Sequence, residues 1–219
     1  MTFALLRSRD SAAAFHARAV PDPAAPEVWW HEPSGPALVL GSTQRDALVD
    51  HGACRAAGVD VVRRRSGGGA VLLVPGEVTW ADVVVPRDGP GWATDVHAPM
   101  RWLGERLAAV VRELLPDRRV DVHGGRPRPS AYSSLVCFDG VGTGEVLLDG
   151  DKLVGISQRR TRHAARLQCC WYSAVDQAAL VGLLDPAVRP PVDALARVAT
   201  VPVEVATALA TRLPAALST

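Results

Sequence analysis

The stretch "RRRSGGGAVLLVPGE", residues 63–77, decides how the rest of the chain is interpreted. Its three consecutive glycines predict a loop whose backbone can take positive φ angles and approach a ligand without a Cβ in the way. The three arginines before them supply fixed charge and bidentate donors that suit a carboxylate or a phosphate. We therefore expect an anion-binding loop, although a turn between solvated arginines explains the same letters. Neither a Walker nor a Rossmann fingerprint fits, because a hairpin pattern follows instead of a helix.

A second stretch, "LDGDKLVGISQRR" at residues 148–160, contains Lys152, the only lysine of the chain. Strand alternation places Lys152 and Val154 on the same face of a predicted strand. A compact, rotatable ammonium can reach an anion or a reacting carbonyl in a way that the larger, planar guanidinium cannot reproduce. The alternative is a lysine at the start of a strand that extends its charge into water.

Composition limits the classes of function. The chain has 219 residues, of which 48% are hydrophobic and 21% charged, as expected for a folded domain large enough to be an enzyme. Its formal net charge of +1 gives no electrostatic reason to expect a nucleic-acid or membrane partner. No apolar run approaches the roughly 18 residues of a membrane span, so we expect a cytoplasmic protein. The four cysteines form neither a disulfide pattern nor a CxxC motif, which predicts reduced thiols.

Hydrophobic periodicity and breakers predict an α+β fold with a mixed, mainly antiparallel sheet and packed helices. A hairpin around Pro75 and Gly76 is expected, and Pro116 should end a long amphipathic helix. The predicted helices are 8–20, 44–58, 95–116, 175–186 and 202–217. The predicted strands are 27–30, 36–42, 59–65, 70–74, 78–86, 135–138, 144–150, 152–160 and 165–173.

The order of the motifs resembles the lipoate-protein ligase family, whose catalytic fold is shared with biotin ligases and octanoyl transferases. An "RR.SGGGAV" segment, a long helix and a "G.K..G.S.RR" segment carry this resemblance, together with "VLGSTQ". It covers roughly residues 1–185 and implies a biotin/lipoate ligase-like catalytic domain there. Residues 186–219 would then be a C-terminal helical extension packed on that domain. The "GRGR.GR" loop of biotin ligases is absent, which disfavours biotin transfer.

The resemblance also implies a reaction. Lys152 matches the family's catalytic lysine, which holds the reacting carbonyl and the phosphate of an acyl-adenylate. ATP and Mg²⁺ would be the cofactors, and lipoate or octanoate the acyl source. The acceptor would be a lysine on the lipoyl carrier domain of a 2-oxoacid dehydrogenase or a glycine-cleavage-type protein. The matching substrate-binding positions are Arg64, Ser66, Gly67, Gly68, Gly69, Gly155 and Ser157, and no protein-held metal site is implied.

Departures from the ligase pattern keep two alternatives open. Many ligases have His-Asp and Asn where this chain has Leu73, Val74 and Glu77, and "VCFDGVGTGEV" replaces their "RND" segment. The "CFD" at residues 137–139 resembles the cysteine acyltransferases of the same superfamily. In that case Cys137 would be the nucleophile of an octanoyl or lipoyl transferase that needs no ATP. The other alternative is a non-catalytic acyl-binding relative. We expect the adenylate route first, because the glycine-loop match is longer than "CFD".

Overall fold

The computed structural model describes residues 1–218, and within them the chain forms an α+β fold with two sheets. The helices are α1 (Ala12–Ala17), α2 (His51–Ala56), α3 (Ala98–Leu114), α4 (Gln177–Gly182) and α5 (Val203–Ser218). The strands are β1 (Ala4–Asp10), β2 (Glu27–Pro33), β3 (Ala37–Leu40), β4 (Asp60–Arg63), β5 (Val71–Leu73), β6 (Val78–Pro86), β7 (Val120–Val122), β8 (Val146–Leu148), β9 (Asp151–Arg160) and β10 (Ala164–Tyr172).

The sheets are mixed and mainly antiparallel, as the sequence predicts. The large sheet has the order β1-β2-β6-β10-β9-β8-β7, in which only β1 and β2 run parallel. The small sheet has the order β4-β3-β5, with β3 parallel to β4 and antiparallel to β5. The glycine-rich segment therefore leaves the small sheet at the end of β4 and returns to it through β5.

Three predicted elements were wrong, because tertiary pairing overrode the local pattern. β5 pairs with β3 instead of β6, so the segment expected to form a hairpin connects one sheet to the other. The strand expected at 135–138 is a 3₁₀ turn at Cys137–Asp139. The first ten residues include β1, so the predicted helix 8–20 shrinks to α1, whose first turn is capped by the Ser11 hydroxyl.

Smaller differences concern lengths and one missed strand. The predicted helix 44–58 divides into a 3₁₀ turn at Asp46–Leu48 and the short α2, which Asp50 caps through the Ala53 amide. β7 was missed because three residues are too few to show an alternation. The strands and helices predicted from residue 144 onward are present: β8 and α4 are shorter than predicted, β9 begins one residue earlier, and β10 and α5 are shifted by one residue.

The main core lies between the large sheet and a layer of two helices. α3 and α5 pack against each other and direct Leu103, Leu107, Leu209 and Leu213 toward the sheet, where all four are fully buried. The last helix thus shares one core with the strands that precede it. The division of the chain at residue 185 stays a prediction. Within residues 1–218, no helix combines the length and apolar character that crossing a membrane requires.

A buried charge cluster joins the strands of the large sheet to α1. Asp82 on β6 is fully buried, and its carboxylate accepts hydrogen bonds from Trp80 Nε1 at 2.8 Å and from Arg166 Nε at 2.7 Å, while His31 Nε2 lies 3.0 Å away. Burial alone would raise the pKa of Asp82, but His31 and Arg166 outweigh it and lower the pKa to about 2. Arg166 also donates to the carbonyl of Phe15 in α1 and to the carbonyl of Arg18, the residue that follows this helix.

We expect Asp82→Asn to destabilise the fold by roughly 3–5 kcal/mol at neutral pH, because it leaves the buried Arg166 without its counter-ion. The pKa of Asp82 is lower in the folded chain than its ordinary value of 3.8. The carboxylate therefore contributes stability above about pH 4 and loses it as the pH falls toward 2.

Urea unfolding of both proteins from pH 7 down to pH 2.5 measures this contribution. The gap between wild type and Asp82→Asn should narrow in acid. Asp46→Asn, an exposed carboxylate beside His51, serves as a control that should change stability little. A gap of constant size across the range would show that the charge of Asp82 does not matter.

Candidate active site

The centre of the site is the turn formed by residues 137–140, here called the Cys137 turn. Its backbone is attached to the chain after the glycine loop: the Cys137 amide donates to the Ala70 carbonyl at 3.0 Å, and the Ala70 amide donates to the Leu135 carbonyl at 2.7 Å. The two motifs that are widely separated in the sequence therefore meet through backbone hydrogen bonds. Cys137 is a free thiol of intermediate exposure.

Lys152 holds the Cys137 turn from the neighbouring strand. Its Nζ is 2.7 Å from Glu145 Oε2 and donates to the carbonyls of Cys137 at 3.0 Å and Gly140 at 3.1 Å. An ammonium has three hydrogens, so all three have acceptors within the protein. The Phe138 ring, 4.7 Å from Nζ, adds a cation–π contact. In this structure Lys152 is bound to the turn rather than extended into open space.

Glu145, which the sequence reasoning missed, is the counter-ion of Lys152. Besides the lysine, its carboxylate accepts the amides of Gly142 at 2.6 Å and Ile156 at 3.0 Å, and both side chains are almost fully buried. Burial alone would lower the pKa of Lys152, but Glu145 outweighs it and raises the pKa above the ordinary value. Lys152 is therefore charged at neutral pH. Because a buried lysine needs a carboxylate nearby, the sequence could have pointed to an acidic partner such as Glu145.

The glycine loop approaches the Cys137 turn as closely as the backbone permits. A Cβ on Gly69 would lie 2.6 Å from the Val136 carbonyl carbon and 2.7 Å from the Cys137 amide nitrogen. Gly68 has φ +100°, and a Cβ there would be 3.8 Å from Cys137 Sγ. A Cβ on Gly67 would meet no atom within 4 Å. Two of the three glycines are thus required for this geometry, and the third is not.

Arg64 stabilises the glycine loop from inside. This buried guanidinium donates from Nη2 to the carbonyls of Gly67 and Gly69, both at 2.8 Å, and from Nη1 to the Val39 carbonyl at 3.3 Å. These bonds fix the loop in its conformation. Arg64 also lines the pocket described next.

An apolar pocket opens beside the Cys137 turn, and it unites part of the predicted site. Of the predicted residues, Cys137, Arg64, Gly155 and Ser157 line it, whereas Lys152 does not line it and binds the carbonyl of Cys137. A second thiol, Cys170, also lines the pocket, but burial raises its pKa to about 12. The other lining residues are His16, Val39, Val71, Leu73, Trp80, Phe138, Ile156, Gln168 and Cys169.

One wall of the pocket is polar. The hydroxyls of Ser66 and Ser157 are 3.0 Å apart, Ser66 lies 3.4 Å from Gln168 Oε1, and Gln168 Nε2 lies 3.4 Å from His16 Nδ1. Burial lowers the pKa of His16 to about 4, and the charges of Arg166 and Arg64 act in the same direction against Asp82. His16 is therefore neutral at pH 7. Its ring packs against Trp80, and Trp80 in turn donates a hydrogen bond to Asp82, so this wall is connected to the Asp82 cluster.

The positions that depart from the ligase pattern offer little to a nucleotide. Leu73 is buried and lines the apolar pocket, while Val74 and Glu77 line a second cavity on the far side of β5. Two of these side chains are apolar, and the third carries a negative charge that would repel a triphosphate. Among residues 1–218, no cluster of three or more His, Cys, Asp or Glu side chains is arranged to hold a metal ion.

Comparisons with known sequences identify relatives. The model of the family described as the lipoyl protein ligase A/B catalytic domain matches residues 14–213. Octanoyltransferase LipM of Kyrpidia tusciae is 40% identical over 134 residues, which make up 58% of this chain and 47% of that protein. The chain thus spans about half the length of the curated relatives it matches.

Solved structures share the fold. A lipoate-protein ligase A bound with ATP has a TM-score of 0.71 and 18% identity, over 97% of this chain and 84% of that one. A chain from the structural analysis of a bipartite lipoate protein ligase and its E2 lipoyl domain from Thermoplasma acidophilum has a TM-score of 0.68 and 18% identity, over 97% and 82%. These likenesses confirm the lipoate/biotin ligase-like architecture. Since the family model covers nearly the whole chain, the protein belongs to the lipoyl protein ligase A/B catalytic domain family.

Proposed function

We propose that this protein transfers an octanoyl or lipoyl group to a lysine of a lipoyl carrier domain through a thioester on Cys137. The observation that carries the proposal is the position of the thiol. Cys137 lines an apolar pocket suited to an acyl chain, beside Gly68 and on a turn that the charged Lys152 grips. A nucleophile next to an acyl pocket and a fixed cation is the arrangement that acyl transfer requires.

The thiol route is favoured over the adenylate route that the sequence put first. Leu73, Val74 and Glu77 offer no cation and no hydrogen-bond donor to a nucleoside triphosphate, so the proposed reaction has no step through ATP and Mg²⁺. The relative from Kyrpidia tusciae is named an octanoyltransferase, which agrees with transfer of an existing acyl group. The structural relative from Thermoplasma acidophilum was analysed with an E2 lipoyl domain, and this supports a carrier domain of that class as the acceptor.

The reaction has two balanced steps. The Cys137 thiol gives up its proton, the thiolate attacks the carbonyl carbon of a donor thioester, and the tetrahedral intermediate collapses to release the donor thiolate, which takes up that proton. The acyl group is then held on Cys137 as a thioester. The neutral amine of the carrier lysine attacks that carbonyl, an amide forms, and the Cys137 thiol is released with the proton that the amine gave up.

Lys152 contributes a fixed positive charge close to both steps. Its buried ammonium is held 2.7 Å from Glu145, so its position is set before negative charge develops on the carbonyl oxygen. Because the Cys137 and Gly140 carbonyls occupy two of its hydrogens, a direct bond to the oxyanion requires that one of them be released. The hydrogen bonds of the Lys152 ammonium thus couple the conformation of the Cys137 turn to the stabilisation of the oxyanion.

We expect Cys137→Ser to eliminate transfer, because a serine hydroxyl is far less ionised near neutral pH than a thiol. Intact-mass spectrometry after incubation with an octanoyl thioester, without ATP, should show one added octanoyl group on the wild type and none on the variant. Cys170→Ser is the matched control, since this pocket thiol has a pKa of about 12 and should be dispensable. Acylation of carrier only with ATP and free octanoate, unaffected by Cys137→Ser, would establish the ligase route instead.

We expect Gly69→Ala to impair transfer strongly, because its Cβ would collide with the backbone of Val136 and Cys137 and displace the turn. Gly67→Ala is the control in the same loop, since its Cβ meets no neighbour. Transfer rates and melting temperatures of both variants should be measured together. Equal activity of the two would show that the close approach of loop and turn has no part in the reaction.

We expect loss of the lysine charge to reduce transfer on the order of 100- to 1000-fold. Removing either member of the pair alone would leave the other buried without its counter-ion, at a cost of roughly 3–5 kcal/mol in stability. The test therefore compares the wild type with the double variant Glu145→Gln and Lys152→Met, which removes both charges, and both proteins are checked for folding by circular dichroism. Near-normal transfer by a folded double variant would refute a catalytic role for Lys152.

A further inference from the structure

The Cys137 turn cannot hold its own shape. It is a single 3₁₀ turn, and the hydrogen bond from the Asp139 amide to the Val136 carbonyl, at 3.2 Å, is the backbone bond that closes it. Such short turns have poor internal geometry. The position of the thiol therefore depends on the contacts that the turn makes with other parts of the chain. Lys152 provides two of these contacts and the Ala70 carbonyl provides a third, and further contacts come from a side chain of the turn itself.

The Asp139 side chain provides them. Its Oδ1 accepts the amide of Ala196 at 2.7 Å, and its Oδ2 accepts the amide of Tyr132 at 3.1 Å and the hydroxyl of Ser130. The side chain is buried, with 5% of its surface exposed. Both oxygens are thus occupied by donors from two segments that lie on either side of the turn in the sequence. A buried carboxylate with three such donors is strongly fixed in place.

One of these segments also holds the strand of Lys152. The segment 195–201, here called the strap, donates from Ala199 to the Lys152 carbonyl at 3.0 Å and from Val201 to the Tyr172 carbonyl at 3.1 Å. Val198 forms a parallel bridge with Lys152. The strap therefore contacts the backbone of Lys152 and, through Asp139, the turn that carries Cys137. The strap thereby helps to fix the position of the Cys137 thiol relative to the Lys152 ammonium.

We propose that Asp139 is the positioning residue that holds the Cys137 thiol in register with Lys152 and the glycine loop. The proposal rests on the thioester function proposed above and adds a residue to it. Asp139 does not touch the reacting atoms, because its carboxylate oxygens are occupied by the backbone and by Ser130. It acts by fixing the turn, and a displacement of about 1 Å at such a site can cost on the order of 100-fold in rate.

A residue that only stabilised the fold would behave differently, so the experiment separates the two roles. Asp139→Ala removes all three contacts, whereas Asp139→Asn keeps one oxygen for Ala196 and puts an amide group where Tyr132 and Ser130 donate. The control is Asp50→Ala, which removes a carboxylate that caps α2 and contacts Arg189 away from the pocket. Each protein is compared by melting temperature, by single-turnover octanoylation of Cys137, and by the pH profile of Cys137 alkylation with iodoacetamide.

Asp139→Ala should octanoylate about 10- to 100-fold more slowly than wild type at a temperature where it is folded, with little change in the donor KM. Its alkylation profile should differ from the wild-type profile, because the displaced turn changes the surroundings of the Cys137 thiol, while the neighbouring Arg64, Glu145 and Cys170 are not substituted. The octanoylation rate and alkylation profile of Asp139→Asn should fall between those of wild type and Asp139→Ala. Asp50→Ala should lower the melting temperature and leave the rate and profile at wild-type values.

Wild-type octanoylation and a wild-type alkylation profile in folded Asp139→Ala would overturn the proposal. Should that variant fail to fold, Asp139→Asn decides by the same two readouts, and wild-type values again overturn it. The alkylation profile does not depend on acyl chemistry. If the wild type forms no octanoyl thioester, the proposed function fails, while the profile still tests whether Asp139 positions the thiol.

Discussion

The site depends on one buried ion pair, between Lys152 and Glu145. Both charges are removed from water, and each is stable there only because the other and a set of backbone groups satisfy it. The lysine uses its remaining hydrogens on the Cys137 turn, so the pair also determines where the thiol lies. A guanidinium would bring five donors in a rigid plane to a space that has acceptors for three. This accounts for a lysine here in a chain whose other strong bases are arginines.

Around this pair, the molecule solves two packing problems with different means. The glycine loop approaches the turn closely because Gly68 and Gly69 have no side chains, and Arg64 prevents that flexible loop from moving by bonding its carbonyls. On the other side of the pocket, the Asp82 cluster fixes Trp80 and the end of α1, which places the neutral His16 in the wall. Most of the pocket surface is thus apolar. The charged groups that fix the positions of its walls are buried.

The sequence predicted the fold class, the family and the residues whose type is unusual, such as Lys152 and the glycines. These signals are local or compositional, so they can be read without knowing the pairing of strands. Glu145 and Asp139 were missed for the opposite reason. An acidic residue looks like any solvated charge in the sequence until tertiary structure buries it, and here that burial depends on β8, β9 and the strap. The hairpin predicted around Pro75 and Gly76 was wrong for the same reason, because β5 and β6 are neighbours in the sequence but belong to different sheets.

The strap also sets the order in which the site can be completed during synthesis. Cys137 and Lys152 leave the ribosome well before Ala196 and Ala199, the residues that supply the last amides to Asp139 and to the strand of the lysine. A nascent chain that ends before residue 196 contains both recognisable motifs but lacks the contacts that align them. The bonds from Lys152 to the turn can form in such a chain, but nothing yet holds Asp139 and the strand of the lysine in register, so the aligned site requires that a later part of the message be translated. Maturation of the site is therefore tied to chain elongation itself.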